Sequence, residues 1–174
     1  MRRSGCLDQT KIIRSFESAK SDPFVGAVAR IFEQGRSACG GDGELVAAVI
    51  YEQLEGEYDI LSWIPLDRNR RRSRGYDQAE LLARDVGRRL QRDVTPVVRK
   101  KLGIRPQSQT GEPEKRKANI AGAYKVLDPA QIAGKRILLI DDIVTTGSTL
   151  SECAKTLLLA GAEDVRCATL ASTR

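Results

Sequence analysis

The stretch Ile137-Leu138-Leu139-Ile140-Asp141-Asp142-Ile143-Val144-Thr145-Thr146-Gly147-Ser148-Thr149 constrains this chain more than any other part of it. Four consecutive aliphatic residues without alternation read as a strand covered on both faces, as in the middle of a parallel sheet. The pattern predicts that strand over residues 135–142. Parallel neighbours need a long crossover, usually a helix, and the sequence supplies one. A helix is expected from Thr149, opened by a Thr149–Glu152 capping box and ended by Gly161. Its apolar stripe is Leu150, Cys153, Ala154, Leu157 and Leu158, and residues 165–170 read as a closing strand.

The rest of the chain repeats this alternation. Phe24, Val28, Ile31 and Phe32 follow helical spacing and predict a helix ending near Gly35. After a Gly40-Gly41-Asp42-Gly43 loop, a second helix is expected over 44–54, with Leu45, Val49 and Leu54 inward. Residues 58–64 read as a strand ending at Pro65. Asp77 can cap a helix running to about Leu90, with Ala79, Leu82, Ala83, Val86 and Leu90 on one face. Residues 94–98 make a short strand that tolerates Pro96 only near an edge or bulge, and 124–127 another. Residues 99–119 are polar, basic and without an apolar period, which predicts a long functional loop. Strands alternating with helices predict an α/β fold with a mainly parallel sheet.

The chemistry of the opening motif follows from its parts. The strand carries two adjacent carboxylates to the carboxyl edge of the sheet, where open α/β folds place ligands. The Thr145–Thr149 turn offers hydroxyls and backbone N–H groups and leads into a helix N-terminus, a nest suited to a phosphate monoester. Gly147 lets the backbone come close to that phosphate. Carboxylates one loop away from a phosphate cradle match a phosphorylated sugar. A Walker B strand would need a GxxxxGK[ST] loop, which the chain lacks. The acidic cluster of a phospho-receiver domain would normally open a chain, not lie near its end.

Composition narrows the chemistry. The sequence has no His, which removes Ser-His-Asp and Cys-His machinery, HExxH metal sites and imidazole proton shuttles. Cys6, Cys39, Cys153 and Cys167 include no CxxC pair, so no zinc ribbon and no disulfide framework is expected. The formal charge of +6 is unevenly spread. Residues 63–117 carry 16 basic and 7 acidic side chains, a net +9, starting with Arg68, Arg70, Arg71, Arg72 and Arg74. Such a block points to an anionic partner, whether phosphate, pyrophosphate or a nucleic-acid backbone. No apolar run long enough for a signal peptide or a membrane span occurs; the expectation is a soluble, cytoplasmic protein without membrane insertion.

Residues 137–149 resemble the phosphoribosyl-pyrophosphate (PRPP) loop of type I phosphoribosyltransferases. Further stretches extend the likeness: Ile64-Pro65-Leu66, Arg74-Gly75-Tyr76-Asp77-Gln78-Ala79-Glu80-Leu81-Leu82-Ala83, Ser108-Gln109-Thr110-Gly111, and Arg116 with Asn119. Together they resemble the ComF/GntX family of competence-associated phosphoribosyltransferase-like proteins, over residues 58–172. The resemblance implies a type I phosphoribosyltransferase-like α/β domain over 58–174, preceded by a small helical N-terminal segment over 1–57. It assigns Asp141 and Asp142 to the ribose 2′- and 3′-hydroxyls, directly or through Mg2+, and Thr145, Thr146, Gly147, Ser148 and Thr149 to the 5′-phosphate. The Pro65-Leu66-Asp67-Arg68 turn falls where the family binds pyrophosphate. The basic 99–119 loop corresponds to a hood over PRPP, with Arg99, Arg105 and Arg116 as candidate pyrophosphate partners.

The sequence also departs from the family. The N-terminal four-Cys zinc module of many members is absent from this sequence or was removed from it, and a Lys usual in the N-terminal helical region is replaced near Glu33. Purine-salvage enzymes carry an Asp where this chain has Thr145, which argues against purine salvage. The resemblance therefore implies PRPP and Mg2+ as ligands and pentosyl transfer (a glycosyltransferase reaction) to an unnamed acceptor. The alternative is a non-catalytic protein of the same fold that contacts single-stranded DNA or DNA-uptake proteins. Either form is compatible with a homo-oligomer.

Overall fold

In a computed structural model of the chain, the structure describes residues 13–17, 27–32, 42–66, 72–73, 75–101 and 122–172. The elements in order are β1 (Ile13–Glu17), β2 (Ala27–Phe32), α1 (Asp42–Leu54), β3 (Ile60–Trp63), α2 (Gln78–Leu90), β4 (Val98–Lys100), β5 (Tyr124–Val126), α3 (Pro129–Ile132), β6 (Arg136–Val144), α4 (Ser148–Leu159) and β7 (Asp164–Ser172).

The aliphatic run sits where its lack of alternation demands. In a five-stranded sheet of order β1-β2-β7-β6-β3, β6 lies between β7 and β3 and is parallel to both. Alternate side chains of β6 point to opposite faces. Ile137 and Leu139 pack with Leu150, Cys153, Ala154 and Leu157 of α4, joined by Tyr124 and Val126 of the β4–β5 hairpin. Leu138 and Ile140 pack with α1 and α2 through Val46, Ile50, Ala83 and Val86. All four residues of the run are fully buried.

The crossovers on either side of β6 run in opposite directions along the sheet. From β3, α2 returns the chain to Val94, which bridges Leu61 in parallel on the outer side of β3. From β6, α4 leads the other way, to β7. The gap between the carboxyl ends of β3 and β6 is thus the point where strand order reverses, the usual ligand crevice of such sheets.

Several sequence expectations are corrected. The helix expected through residues 24–32 is replaced by β2, which pairs in parallel with β7 from Ala27↔Arg166 to Arg30↔Thr169, while β1 pairs with β2 antiparallel. The segment before residue 58 is therefore not purely helical. It adds two strands to the sheet and α1 to the helical layer. Val28, Ile31 and Phe32 suit a strand as well as a helical stripe, and the open edge of β7 decides between them. Residues Asp42 and Gly43 belong to α1, not to a loop. A Cβ on Gly43 would meet Asp85 Oδ2 at 2.0 Å, so the glycine permits α1 and α2 to approach. The 94–98 strand is split by Pro96 into the Val94 bridge and β4. Arg99 and Lys100, expected in the long loop, belong to β4.

Candidate functional site

The site is built from two strand ends of unequal length. Pairing of β3 with β6 ends at Trp63↔Ile140, with one further bond from the Ile64 N–H to the Ile140 carbonyl at 3.0 Å. On its other side β6 stays paired with β7 as far as Val144↔Ser172. Residues Asp141 to Val144 therefore run past the end of β3, and the acidic pair falls at the lip of the crevice. Both carboxylates are half-buried. Asp141 Oδ1 accepts from the Asp142 N–H at 2.9 Å, and Asp142 Oδ1 accepts from the Ile143 N–H at 2.8 Å.

Burial, then the adjacent Asp142 charge, push the Asp141 carboxyl up to about 8. A side-chain hydrogen bond with Asp142 and the charge of Asp77 act in the same direction, while the bond from the Asp142 backbone N–H opposes them. Behind Asp141, the Tyr124 hydroxyl hydrogen-bonds the Cys153 thiol, and burial raises both groups. Two neutral groups, Tyr124 and Cys153, thus lie within electrostatic reach of Asp141, whose own carboxyl resists ionisation.

The turn after β6 has the conformation a phosphate cradle requires. Gly147 adopts φ +75° and is the N-cap of α4, with no side-chain cap hydrogen bond. The capping box expected between Thr149 and Glu152 does not form. The helix starts one residue earlier, and Glu152 instead accepts from the backbone N–H of Gly122. Gly147 itself caps no N–H of the first turn of α4; the Ser148 N–H donates to Thr146 Oγ1 at 3.4 Å, and the Thr146 and Ser148 hydroxyls stand 2.9 Å apart. Thr145 and Thr146 are exposed, and Gly147, Ser148 and Thr149 are half-exposed. All five expected phosphate residues lie in one turn next to the acidic pair.

The opposite wall is the turn leaving β3. Pro65 and Leu66 are half-buried there, and the Leu66 N–H donates to Asp77 Oδ2 at 2.8 Å. Asp67 and Arg68, Arg105 and Arg116 lie outside the described residues. Arg99 is exposed on β4, opposite Lys125 in register. The basic excursion leaves at Lys101 and returns at Gly122, its stem closed by the Lys101 N–H to Ala123 carbonyl bond of 2.8 Å.

Sequence reasoning gave Asp77 one role, helix capping, which the structure bears out, since its side chain accepts from the Glu80 N–H. It missed the bond to Leu66, for which the Asp77-Gln78-Ala79-Glu80 pattern held no signal. Tyr124 was read only as the start of a short strand and Cys153 only as part of an apolar stripe, and no local pattern pairs them. Among the described residues no three or more Cys, Asp or Glu side chains gather into a metal cage. Two neighbouring carboxylates fit an ion such as Mg2+ that takes most of its oxygens from water and a bound phosphate.

A mostly parallel sheet with an acidic strand end and an uncapped, glycine-led helix at its switch point defines a phosphoribosyltransferase-like α/β protein. Residues 75–174, more than half the chain, match the model of the phosphoribosyl transferase domain family, and the chain belongs to that family. Within that family it is similar to proteins named for DNA utilization and competence. It is 34% identical over 110 residues to the DNA utilization protein YhgH of Shigella flexneri, covering 62% of this chain and 47% of that protein. It is 30% identical over 104 residues to Competence protein F of Haemophilus influenzae, covering 59% and 45%. The chain thus spans about half the length of the curated relatives it matches. Among solved structures, an allosteric regulatory enzyme of purine biosynthesis superposes with a TM-score of 0.51 at 15% identity, covering 80% of this chain and 27% of that one. At that identity the likeness concerns the fold. No helix among the described residues is long and apolar enough to cross a membrane.

Proposed function

We propose that this chain binds PRPP with Mg2+ across the crevice and acts on the 5-phosphoribosyl group as a ComF-type protein serving DNA uptake or use. One observation carries the reading: the Asp141-Asp142 pair stands where β6 outruns β3 and leads directly into the Gly147 turn and the uncapped start of α4. Within it, Thr145 to Thr149 hold the 5′-phosphate through N–H groups and hydroxyls, an arrangement favoured by the positive end of the helix dipole. Asp141 and Asp142 accept from the ribose 2′- and 3′-hydroxyls. The turn after β3, with Leu66, Asp67 and Arg68, takes the pyrophosphate, and Arg99 of β4 together with Arg105 and Arg116 of the basic stretch are its further partners.

In pentosyl transfer the C1–oxygen bond to pyrophosphate breaks, with its electron pair leaving on pyrophosphate, while the acceptor's lone pair forms the new bond at C1. The ribose passes through an oxocarbenium-like state whose positive charge the Asp141-Asp142 pair stabilises. When bound, Mg2+ offsets the charge of the pyrophosphate, and Asp141 and Asp142 are the residues placed to hold it. The scheme uses no imidazole and no covalent nucleophile, in keeping with a chain that has no His. Thr145 at the start of the turn favours an acceptor other than a purine.

Calorimetric titration of PRPP with Mg2+ tests the reading. Saturable binding by the wild type, lost in the Asp141→Asn, Asp142→Asn double variant, is the expected result. A wild-type protein that binds no PRPP overturns it.

The relatives named for DNA utilization and competence, with the +9 middle third, favour a second reading: a non-catalytic member that contacts single-stranded DNA. Part of that charge is already engaged, since Arg84, Arg88, Arg89 and Arg92 pair with Glu80, Asp85 and Glu55. The attraction would come from the Arg68–Arg74 and 99–117 stretches. Affinity for single-stranded DNA should then fall with salt at a log–log slope of about −0.7 per phosphate contact; a slope near zero rejects this reading.

A further inference from the structure

Among the described residues, Asp77 is the one charged side chain that is buried, at 3% exposure. Its two oxygens serve different elements. Oδ1 accepts from the Glu80 N–H at 3.3 Å and caps α2. Oδ2 accepts from the Leu66 N–H at 2.8 Å, eleven residues back, in the turn that leaves β3. A cap alone needs one acceptor, which Ser or Asn would supply without burying a charge. Burying a carboxylate is costly unless its oxygens are bonded, and here the second bond fixes a peptide of the site. Asp77 also lies near enough for its charge to act on Asp141. It is thus bonded to one wall of the crevice and within electrostatic reach of the other.

We propose that Asp77 is a positioning residue for the pyrophosphate end of the site: by binding the Leu66 N–H it ties the turn after β3 to the start of α2 and sets the shape in which that turn meets pyrophosphate. The Leu66 N–H is thereby turned inward and is not itself a ligand of the anion. The 5′-phosphate end, built on β6 and α4, does not depend on this bond. The proposal rests on the PRPP reading above, and ribose 5-phosphate separates the two, because it shares the phosphate and the ribose but lacks the pyrophosphate.

The variants are Asp77→Asn and Asp77→Ser. Asn keeps an acceptor for the Glu80 N–H but sets its own NH2 against the Leu66 N–H. Ser caps the helix equally well and is too short to reach Leu66. Affinities for PRPP with Mg2+ and for ribose 5-phosphate are measured by calorimetry on both variants and the wild type, with circular dichroism confirming the fold. The expected result is a loss of about tenfold or more in PRPP affinity, as for a hydrogen bond to a charged group, with ribose 5-phosphate affinity within about twofold of wild type. Equal loss for both ligands overturns the proposal and makes Asp77 a purely structural residue, and so does no loss for either. A wild type that binds neither ligand overturns the PRPP reading and takes this proposal with it.

Discussion

Replacing Asp141 by Asn should make the ligand-free protein more stable in alkaline solution while removing PRPP binding. The raised Asp141 carboxyl means that the folded state keeps a proton that the unfolded chain releases near pH 4. Stability linked to this proton is fully present below the unfolded value and is lost as pH rises through the folded value of about 8. Each tenfold gain in proton affinity corresponds to ~1.4 kcal/mol, so the move from 3.8 to about 8 sets an upper limit of roughly 5–6 kcal/mol. Asp141 keeps some exposure to water, so about 2–3 kcal/mol is the realistic size. Asn at this position keeps a carbonyl oxygen for the Asp142 N–H and does not titrate. Urea unfolding, with a chelator to exclude divalent cations, should show the wild type losing about 2–3 kcal/mol more than the Asn variant between roughly pH 4 and 8.5. Parallel curves for the two proteins would refute the reasoning, since they would mean that Asp141 ionises in the folded state as easily as in the unfolded one.

Other perturbations follow from the same geometry. Gly147→Ala puts a side chain at φ +75° with nothing within 4 Å of the new Cβ, so the expected loss is backbone strain alone, about 1 kcal/mol by thermal unfolding, with weaker ribose 5-phosphate binding. Gly87→Ala adds a methyl 2.4 Å from Val94 Cγ2 and 2.7 Å from the Arg92 carbonyl oxygen. The clash should outweigh the gain in helix propensity and lower stability by about 2 kcal/mol, read from the urea midpoint. Cys153 and Cys167 are buried, and burial raises the Cys153 thiol. Peptide mapping after thiol labelling should find both modified only once urea has unfolded the protein.

Legibility in the sequence followed the range of the interactions. The β6–turn–α4 unit was readable because its signals are local: an unbroken aliphatic run, two acids, a glycine and an apolar stripe. Helix α2 was readable for the same reason, from its Asp cap and the 79–90 face. The helix expected through 24–32 failed because Val28, Ile31 and Phe32 fit two periods, and the partner that decides between them, β7, lies more than a hundred residues away. The capping box failed in a similar way, because Glu152 is drawn to Gly122, thirty residues back. At the site, Asp141, Asp142 and residues 145–149 were read from one contiguous motif. The Leu66–Asp77 bond and the Tyr124–Cys153 pair join separate elements and leave no spacing to read.

The split of the core into two clusters on opposite faces of the sheet has a mechanical meaning. The phosphate turn is carried by α4 and its cluster, while the turn after β3 is tied to α2 through the Leu66–Asp77 bond and reaches the α4 cluster only through Ile64. The crevice is the seam between two packed layers, joined there by the sheet and by Ile64. A ligand that reaches both walls works as a rivet across that seam, whereas one that touches a single wall merely decorates it.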